Sequence, residues 1–219
     1  MSFQNHETTL PAADQIKHVV FDIDGVVAEG PPRVSEVAIA KFGLDANAVT
    51  NFFSRGPWEG CIEGSGDLRE LLIEALPQWG FSGSVDDYLR FWFETANVFN
   101  ARVIDLAAKL RAQGLGCHLA SNQEKIRAAS LWHSCKLSDH FDSAFFSCHM
   151  GCKKPHASFY DAVRQQVHAE PHEIVLLDDS LENVQAAKQC GWHGILWPDE
   201  TSIARALMTR GSSFYTSHI

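Results

Sequence analysis

The stretch 19-VVFDIDGVVAEG-30 decides how the chain is read. Val19, Val20 and Phe21 form an apolar run that ends in Asp22, Ile23, Asp24 and Gly25. A short run of branched and aromatic residues bounded by a glycine reads as a buried strand. Residues two apart on a strand share a face, so Asp22 and Asp24 bring two like charges to one locus. Burying carboxylates is costly unless something pairs with them. Either the strand has ended and the pair lies in solvent, or a cation and a phosphate-like ligand complete a site.

The rest of the chain repeats the theme. A second apolar run, 174-IVLLDD-179, also ends in paired carboxylates. Between the two, 115-LGCHLASN-122 ends in small polar residues, 194-GILW-197 is another short apolar run, and 143-SAFFS-147 reads as a further strand or a piece of one. Helical patterns separate these runs. In 101-ARVIDLAAKLRAQG-114 the apolar positions Val103, Leu106, Ala107 and Leu110 fall on one face, and Gly114 is a stop. Residues 157–168 and 181–191 behave similarly. Strands alternating with helices predict an α/β fold with a Rossmann-like parallel sheet core and helices on both faces. In such sheets ligands bind beyond the carboxyl ends of the strands. Asp22, Asp24, Ser121, Asn122, Asp178 and Asp179 all fall there.

Residues 29–99 break the rhythm. They carry helical patterns and many aromatics, among them Phe42, Phe52, Phe53, Trp58, Trp79, Tyr88 and Trp92, with no strand-like run. This segment is expected to be an inserted α-helical cap over the site. The catalytic core is then 16–28 with 100–219, and the polar residues 1–15 are a flexible N-terminal arm. Within the cap, 54-SRGPWEG-60 places Arg55, Trp58 and Glu59 as residues that could face the site, an arginine for a second anionic group and a tryptophan for stacking.

Bulk properties limit the function classes. The chain has 219 residues, 45% of them hydrophobic, and a formal net charge of −9. That charge argues against a nucleic-acid polymer or an anionic membrane surface as partner, but not against a small anionic substrate held by local cations. The six cysteines follow no paired framework, no signal segment or membrane-length apolar run is read, and a reducing cytoplasm is the expected setting. The cluster 148-CHMGCKKPH-156 holds two Cys and two His, but zinc sites usually come as two separated pairs, so it reads as a loop.

Four motifs occur in order: Asp22-Ile23-Asp24-Gly25-Val26-Val27, then Ser121-Asn122, then Lys154 in 151-GCKKPHASFY-160, then Asp178-Asp179 in 174-IVLLDDSLENVQAAKQCG-191. Together they resemble the haloacid dehalogenase-like (HAD) hydrolase superfamily, over nearly the whole chain beyond the arm. The resemblance implies that Asp22 is a nucleophile attacking phosphorus and that Asp24 is a general acid and then a base. It implies that Gly25, Ser121, Asn122 and Lys154 hold the phosphate. It also implies Mg2+ held by Asp22, Asp179 and the Asp24 backbone carbonyl, with Asp178 as a further ligand or a support. Chemically this is coherent, because a carboxylate is a weak nucleophile and needs cations to offset phosphate charge.

The cap position resembles the subfamily I arrangement, and the layout looks most like sugar-phosphate phosphatases and the epoxide hydrolase phosphatase domain. The expected activity is hydrolysis of a small phosphomonoester, a sugar phosphate or a nucleotide, by a monomer or dimer. The alternatives are a β-phosphoglucomutase-like phosphomutase, a dehalogenase and a non-catalytic binding protein. Ala28-Glu29-Gly30-Pro31 departs from the mutase pattern, which continues with an acid followed by Ser or Thr. Asp24 and the acidic pair disfavour dehalogenation.

Overall fold

In a computed structural model the described residues are 16–54 and 57–198. The expected arm (1–15), Arg55 and the part of the expected core beyond 198 lie outside them. The centre is a five-stranded parallel sheet ordered β3-β2-β1-β4-β5. The strands are β1 (His18–Phe21), β2 (Gly116–Ser121), β3 (Ser143–Phe146), β4 (Ile174–Asp178) and β5 (His193–Leu196). β1 is central and pairs in register with both neighbours, His18 opposite Gly116 on one side and Ile174 on the other. It ends at Phe21, because the chain turns immediately after it.

The near-continuous apolar character of these strands follows from burial on both faces. Side chains alternate across the sheet. Val19, Phe21, Cys117, Leu119, Val175 and Leu177 pack into one cluster, whereas Val20, Ala120, Phe145, Ile174 and Leu176 pack into another.

Five helices fill the segment between β1 and the next core helix: α1 (Val34–Phe42), α2 (Ala46–Ser54), α3 (Pro57–Ile62), α4 (Leu68–Trp79) and α5 (Val85–Ala96). They bury a cluster of their own that includes Leu72, Leu76, Trp79, Tyr88 and Phe91. Local signals set their limits. Asp67 caps α4 by accepting from the Arg69 and Glu70 amides, and Ser84 with Asp87 forms a capping box on α5. α6 (Ala101–Ala112) starts at Asn100, whose side chain accepts from the Arg102 and Val103 amides. α7 (Lys125–Ala129) runs into a π-turn over Ser130–Ser134, and α8 (Ser147–Met150) is a single turn. α9 (Ala157–Val167) and α10 (Leu181–Gln189) complete the fold. α6 supplies Val103, Ala107 and Leu110 to the Val19/Phe21 cluster, and α9 supplies Phe159, Tyr160 and Val163 to the other.

The two chain segments joining the helical insertion to the sheet run side by side. Glu29 N donates to Val98 O at 2.7 Å, Asn100 N donates to Val27 O at 2.9 Å, and Ala28 bridges Phe99 antiparallel. The Asn100 side-chain amide also donates to Glu29 Oε1. Further contacts join the helical segment to the residues that follow β3: Ser147 Oγ donates to Ile62 O at 2.7 Å, and Lys153 pairs with Glu59.

Candidate active site

The site is built where β1, β2 and β4 end together. Asp22 is the first residue past β1, and its amide donates to Leu177 O of β4 at 2.8 Å. The chain then turns at Gly25, with φ +80°, in the left-handed region that favours glycine. Space as well as torsion requires glycine: a Cβ there would lie 2.1 Å from Asp179 Oδ2.

Asp22, Asp178 and Asp179 offer carboxylate oxygens that all lie within 4.8 Å of one another. Lys154 reaches into this group from the segment between α8 and α9. Its ammonium lies 3.0 Å from Asp22 Oδ1 and 2.6 Å from Asp178 Oδ2, and its side chain is 1% exposed. Asp178 is satisfied further: Asn183 Nδ2 donates to both its oxygens at 3.0 and 3.1 Å, and Ser180 N donates to Oδ1 at 2.9 Å. Ser180 also caps α10. Asp179 is the exposed member of the trio.

The protonation balance follows from this crowding. Burial pushes the Asp22 carboxyl up to about 7 against the opposing charge of Lys154, and the charges of Asp178 and Asp24 add to the rise. Burial alone would lower Lys154, but the two carboxylates raise it above its ordinary value and hold it charged. Asp179 is raised by burial and then by Asp178. Like charges packed this closely, with one lysine among them, suit a hard divalent cation with oxygen ligands.

Asp24 lies outside the trio and has partners of its own. Arg127 grips it bidentately, Nη1 to Oδ2 at 2.7 Å and Nη2 to Oδ1 at 2.6 Å, and Gln123 Nε2 donates to Oδ2 at 2.7 Å. Burial would raise Asp24, but hydrogen bonding and charge from Arg127, with Gln123, outweigh it and hold the carboxyl below the usual range. Arg127 is buried, while the Asp24 side chain is half-exposed. Arg127 donates also to Asn97 Oδ1, at 3.2 Å from both Nε and Nη2, at the residue where α5 ends.

Ser121 Oγ accepts from Gln123 Nε2 at 3.0 Å at the end of β2. Asn122 is turned toward the backbone of Lys154, accepting from Lys154 N at 2.9 Å and donating to Lys154 O at 2.8 Å. It therefore brackets the lysine that pairs with Asp22 and Asp178. Gln123, Arg127 and Asn97 were not singled out in the sequence, although Gln123 and Arg127 share one face at i, i+4 just beyond a strand end. Among the described residues, Trp58 borders the cavity above the site, and Glu59 is taken by Lys153.

Residues 16–191 match the family model for haloacid dehalogenase-like hydrolase. The chain belongs to this family. Its relatives include a sesquiterpene phosphatase of Aspergillus oryzae, 27% identical over 87% of this chain and 94% of that protein. The bifunctional epoxide hydrolase 2 of Rattus norvegicus is 32% identical over 88% of this chain, which spans 38% of that longer protein. Among solved structures, a HAD family enzyme from Bacteroides thetaiotaomicron in complex with magnesium and inorganic phosphate superposes with a TM-score of 0.71. It is 22% identical and covers 83% of this chain and 93% of that one, a likeness of fold. The HAD hydrolase is thus an α/β enzyme of the phosphatase-like kind, and among its described residues no helix is long and apolar enough to cross a membrane.

Proposed function

We propose that this HAD hydrolase is a Mg2+-dependent phosphatase that hydrolyses a small phosphomonoester through an aspartyl-phosphate on Asp22. The observation that carries the reading is the convergence of Asp22, Asp178 and Asp179 within 4.8 Å, with the buried Lys154 ammonium against two of them. This donor set is all carboxylate, which fits magnesium better than a softer ion. Bound there, magnesium would neutralise phosphoryl charge and align the attack.

The protein's own groups then have distinct tasks. Asp22 forms a bond from a carboxylate oxygen to phosphorus as the bond to the leaving oxygen breaks. Lys154 offsets the charge shared by nucleophile and phosphoryl group. Asp24 gives a proton to the leaving oxygen, then takes one from the water that attacks the aspartyl-phosphate, so that phosphate leaves and both carboxyls are restored. While Arg127 holds Asp24 it is ionised, so donation requires Asp24 to take up a proton and turn from the guanidinium. Gly25 lets the backbone approach the ligand, and Ser121 supplies a hydroxyl. The helices α1 to α5 act as a cap that limits bulk water.

The test is phosphate release from p-nitrophenyl phosphate and from sugar phosphates and nucleotides, with Mg2+ and with EDTA. Metal-dependent release that is lost in Asp22→Asn is the expected result. Turnover retained by a folded Asp22→Asn protein overturns the role of Asp22, and release unaffected by EDTA overturns the metal site.

A further inference from the structure

The catalytic carboxylates form one end of a cavity of about 720 Å3. This is toward the upper part of the range for small-molecule sites. A phosphoryl group needs only the end beside Asp22 and Lys154, so most of the space belongs to the leaving group. The wall over that space comes from the helical insertion. Phe53, Trp58, Tyr88 and Trp92 all line it.

These aromatics form one surface. Phe53 meets Trp58 edge-on at 5.1 Å and Trp92 at 5.8 Å, Trp58 lies 5.8 Å from Trp92, and Tyr88 lies 6.3 Å from Trp92. Trp79, fully buried, backs the surface at 6.0 Å from Phe53 and 5.4 Å from Tyr88. The wall is thus a fixed part of the insertion's core, with Phe53, Trp58 and Trp92 half-buried toward the cavity. Pro31, Pro32 and Val34 extend its apolar character.

Among the described residues, the polar side chains that line this side are Glu29, Arg33 and Ser35, against four aromatic rings and two prolines. Glu29 accepts from Asn100, and Arg33 pairs with Glu36 at the surface. The indoles of Trp58 and Trp92 offer donors and no acceptor. A sugar's hydroxyls or a base's edge need both, and a hydroxyl buried without them is penalised. A hydrocarbon body has no such need.

We propose that the ester is the phosphate of an apolar alcohol or phenol, with a large hydrocarbon leaving group laid against Phe53, Trp58 and Trp92. The polar floor takes the phosphate, and the aromatic wall takes the rest. This narrows the substrate away from sugar phosphates and nucleotides, and it rests on the phosphatase reading.

Two arms test it. In the first, kcat/KM is measured with Mg2+ for 1-naphthyl phosphate, n-octyl phosphate and glucose 6-phosphate. The two apolar esters are expected to exceed glucose 6-phosphate by about 100-fold or more, in line with what binding differences in a pocket supply. Trp58→Ser is expected to narrow the preference at least about tenfold, and Trp92→Phe, which keeps an aromatic face, to retain most of it. Equal or better use of glucose 6-phosphate overturns the inference. The second arm needs no turnover: calorimetric binding of 1-naphthyl phosphate and glucose 6-phosphate to Asp22→Asn with Mg2+. Tighter binding of the naphthyl ester upholds the wall even where no ester is hydrolysed, an outcome that would overturn the phosphatase reading alone. Equal binding overturns the wall.

Discussion

Lys154→Met offers the sharpest test of how the strand ends are held together. Methionine keeps most of the apolar stem and removes the ammonium. In the native chain that ammonium is 1% exposed and lies 3.0 Å from Asp22 and 2.6 Å from Asp178, both buried. Removing one partner of a buried ion pair costs about 3–5 kcal/mol, because the remaining charge is left uncompensated. Asn183 and Ser180 still serve Asp178, so the larger part of the loss falls on Asp22. For a chain of this size each kcal/mol lowers Tm by about 2–4 °C. The expected loss is therefore about 6–20 °C, read by calorimetry or circular dichroism in EDTA at pH 8.5.

The conditions sharpen the argument. At pH 5.5 the parent's Asp22, pushed up to about 7, is already protonated. Without Lys154 it titrates higher still, so the variant's deficit should shrink by half or more on moving from pH 8.5 to 5.5. Saturating Mg2+ at pH 8.5 should restore part of the loss, about 2.7 kcal/mol at a hundred times its Kd. A variant melting within about 2 °C of the parent at pH 8.5 in EDTA would refute the reasoning, since the carboxylates would then need no cation.

Three further outcomes are expected. In the metal-free parent, Asp22 is raised from 3.8 to about 7, so its contribution to stability is complete below about pH 4 and is lost as pH rises through 7. Asp22→Asn should flatten the decline in a Tm series in EDTA; an undiminished decline counts against Asp22 as its source. Arg127→Met removes the charge that holds Asp24 low, so the alkaline limb of the kcat/KM profile, where the general acid loses its proton, should move to higher pH, and a fixed limb would show that the pair does not set it. Gly25→Ala places a Cβ 2.1 Å from Asp179 Oδ2 at φ +80°. Strain alone costs about 1–2 kcal/mol, and the displaced Asp179 should weaken Mg2+ binding in a calorimetric titration; unchanged affinity would mean that Asp179 is not a ligand.

The sheet was legible because a strand buried on both faces needs an unbroken apolar run, and four of these runs end in acids or small polar residues. Those ends became neighbours by topology, so Asp22, Asp178 and Asp179 could be placed together from sequence alone. Lys154 was separable from Lys153 only through the family resemblance; the structure sends Lys153 to Glu59 and Lys154 to the acids. Other features had no local signal. Arg127 grips Asp24 across 103 positions, and nothing in a helical stretch tells a surface arginine from a buried one. The side chain of Asn122 had equal reason to face a phosphate or a backbone, and it takes the backbone of Lys154. The aromatics of the insertion were legible as a small core, but periodicity does not say which of them also face a cavity.

The distribution of charge links these points. Four carboxylates meet at the strand ends, and two buried cations face them in divided fashion: Lys154 serves Asp22 and Asp178, and Arg127 serves Asp24. Asp179 has neither, and Asp22 shares its lysine, which is why these two are the carboxyls that burial raises while Asp24 is lowered. Without a metal the excess is relieved by binding protons, the direction in which burial and neighbouring carboxylates push Asp22. On the proposed reading, a divalent cation at the trio would relieve it without a proton and leave Asp22 free to attack, whereas a protonated Asp22 would be no nucleophile. The aromatic wall contributes nothing to that balance. It leaves the electrostatics to the strand ends and selects the ester by its body alone.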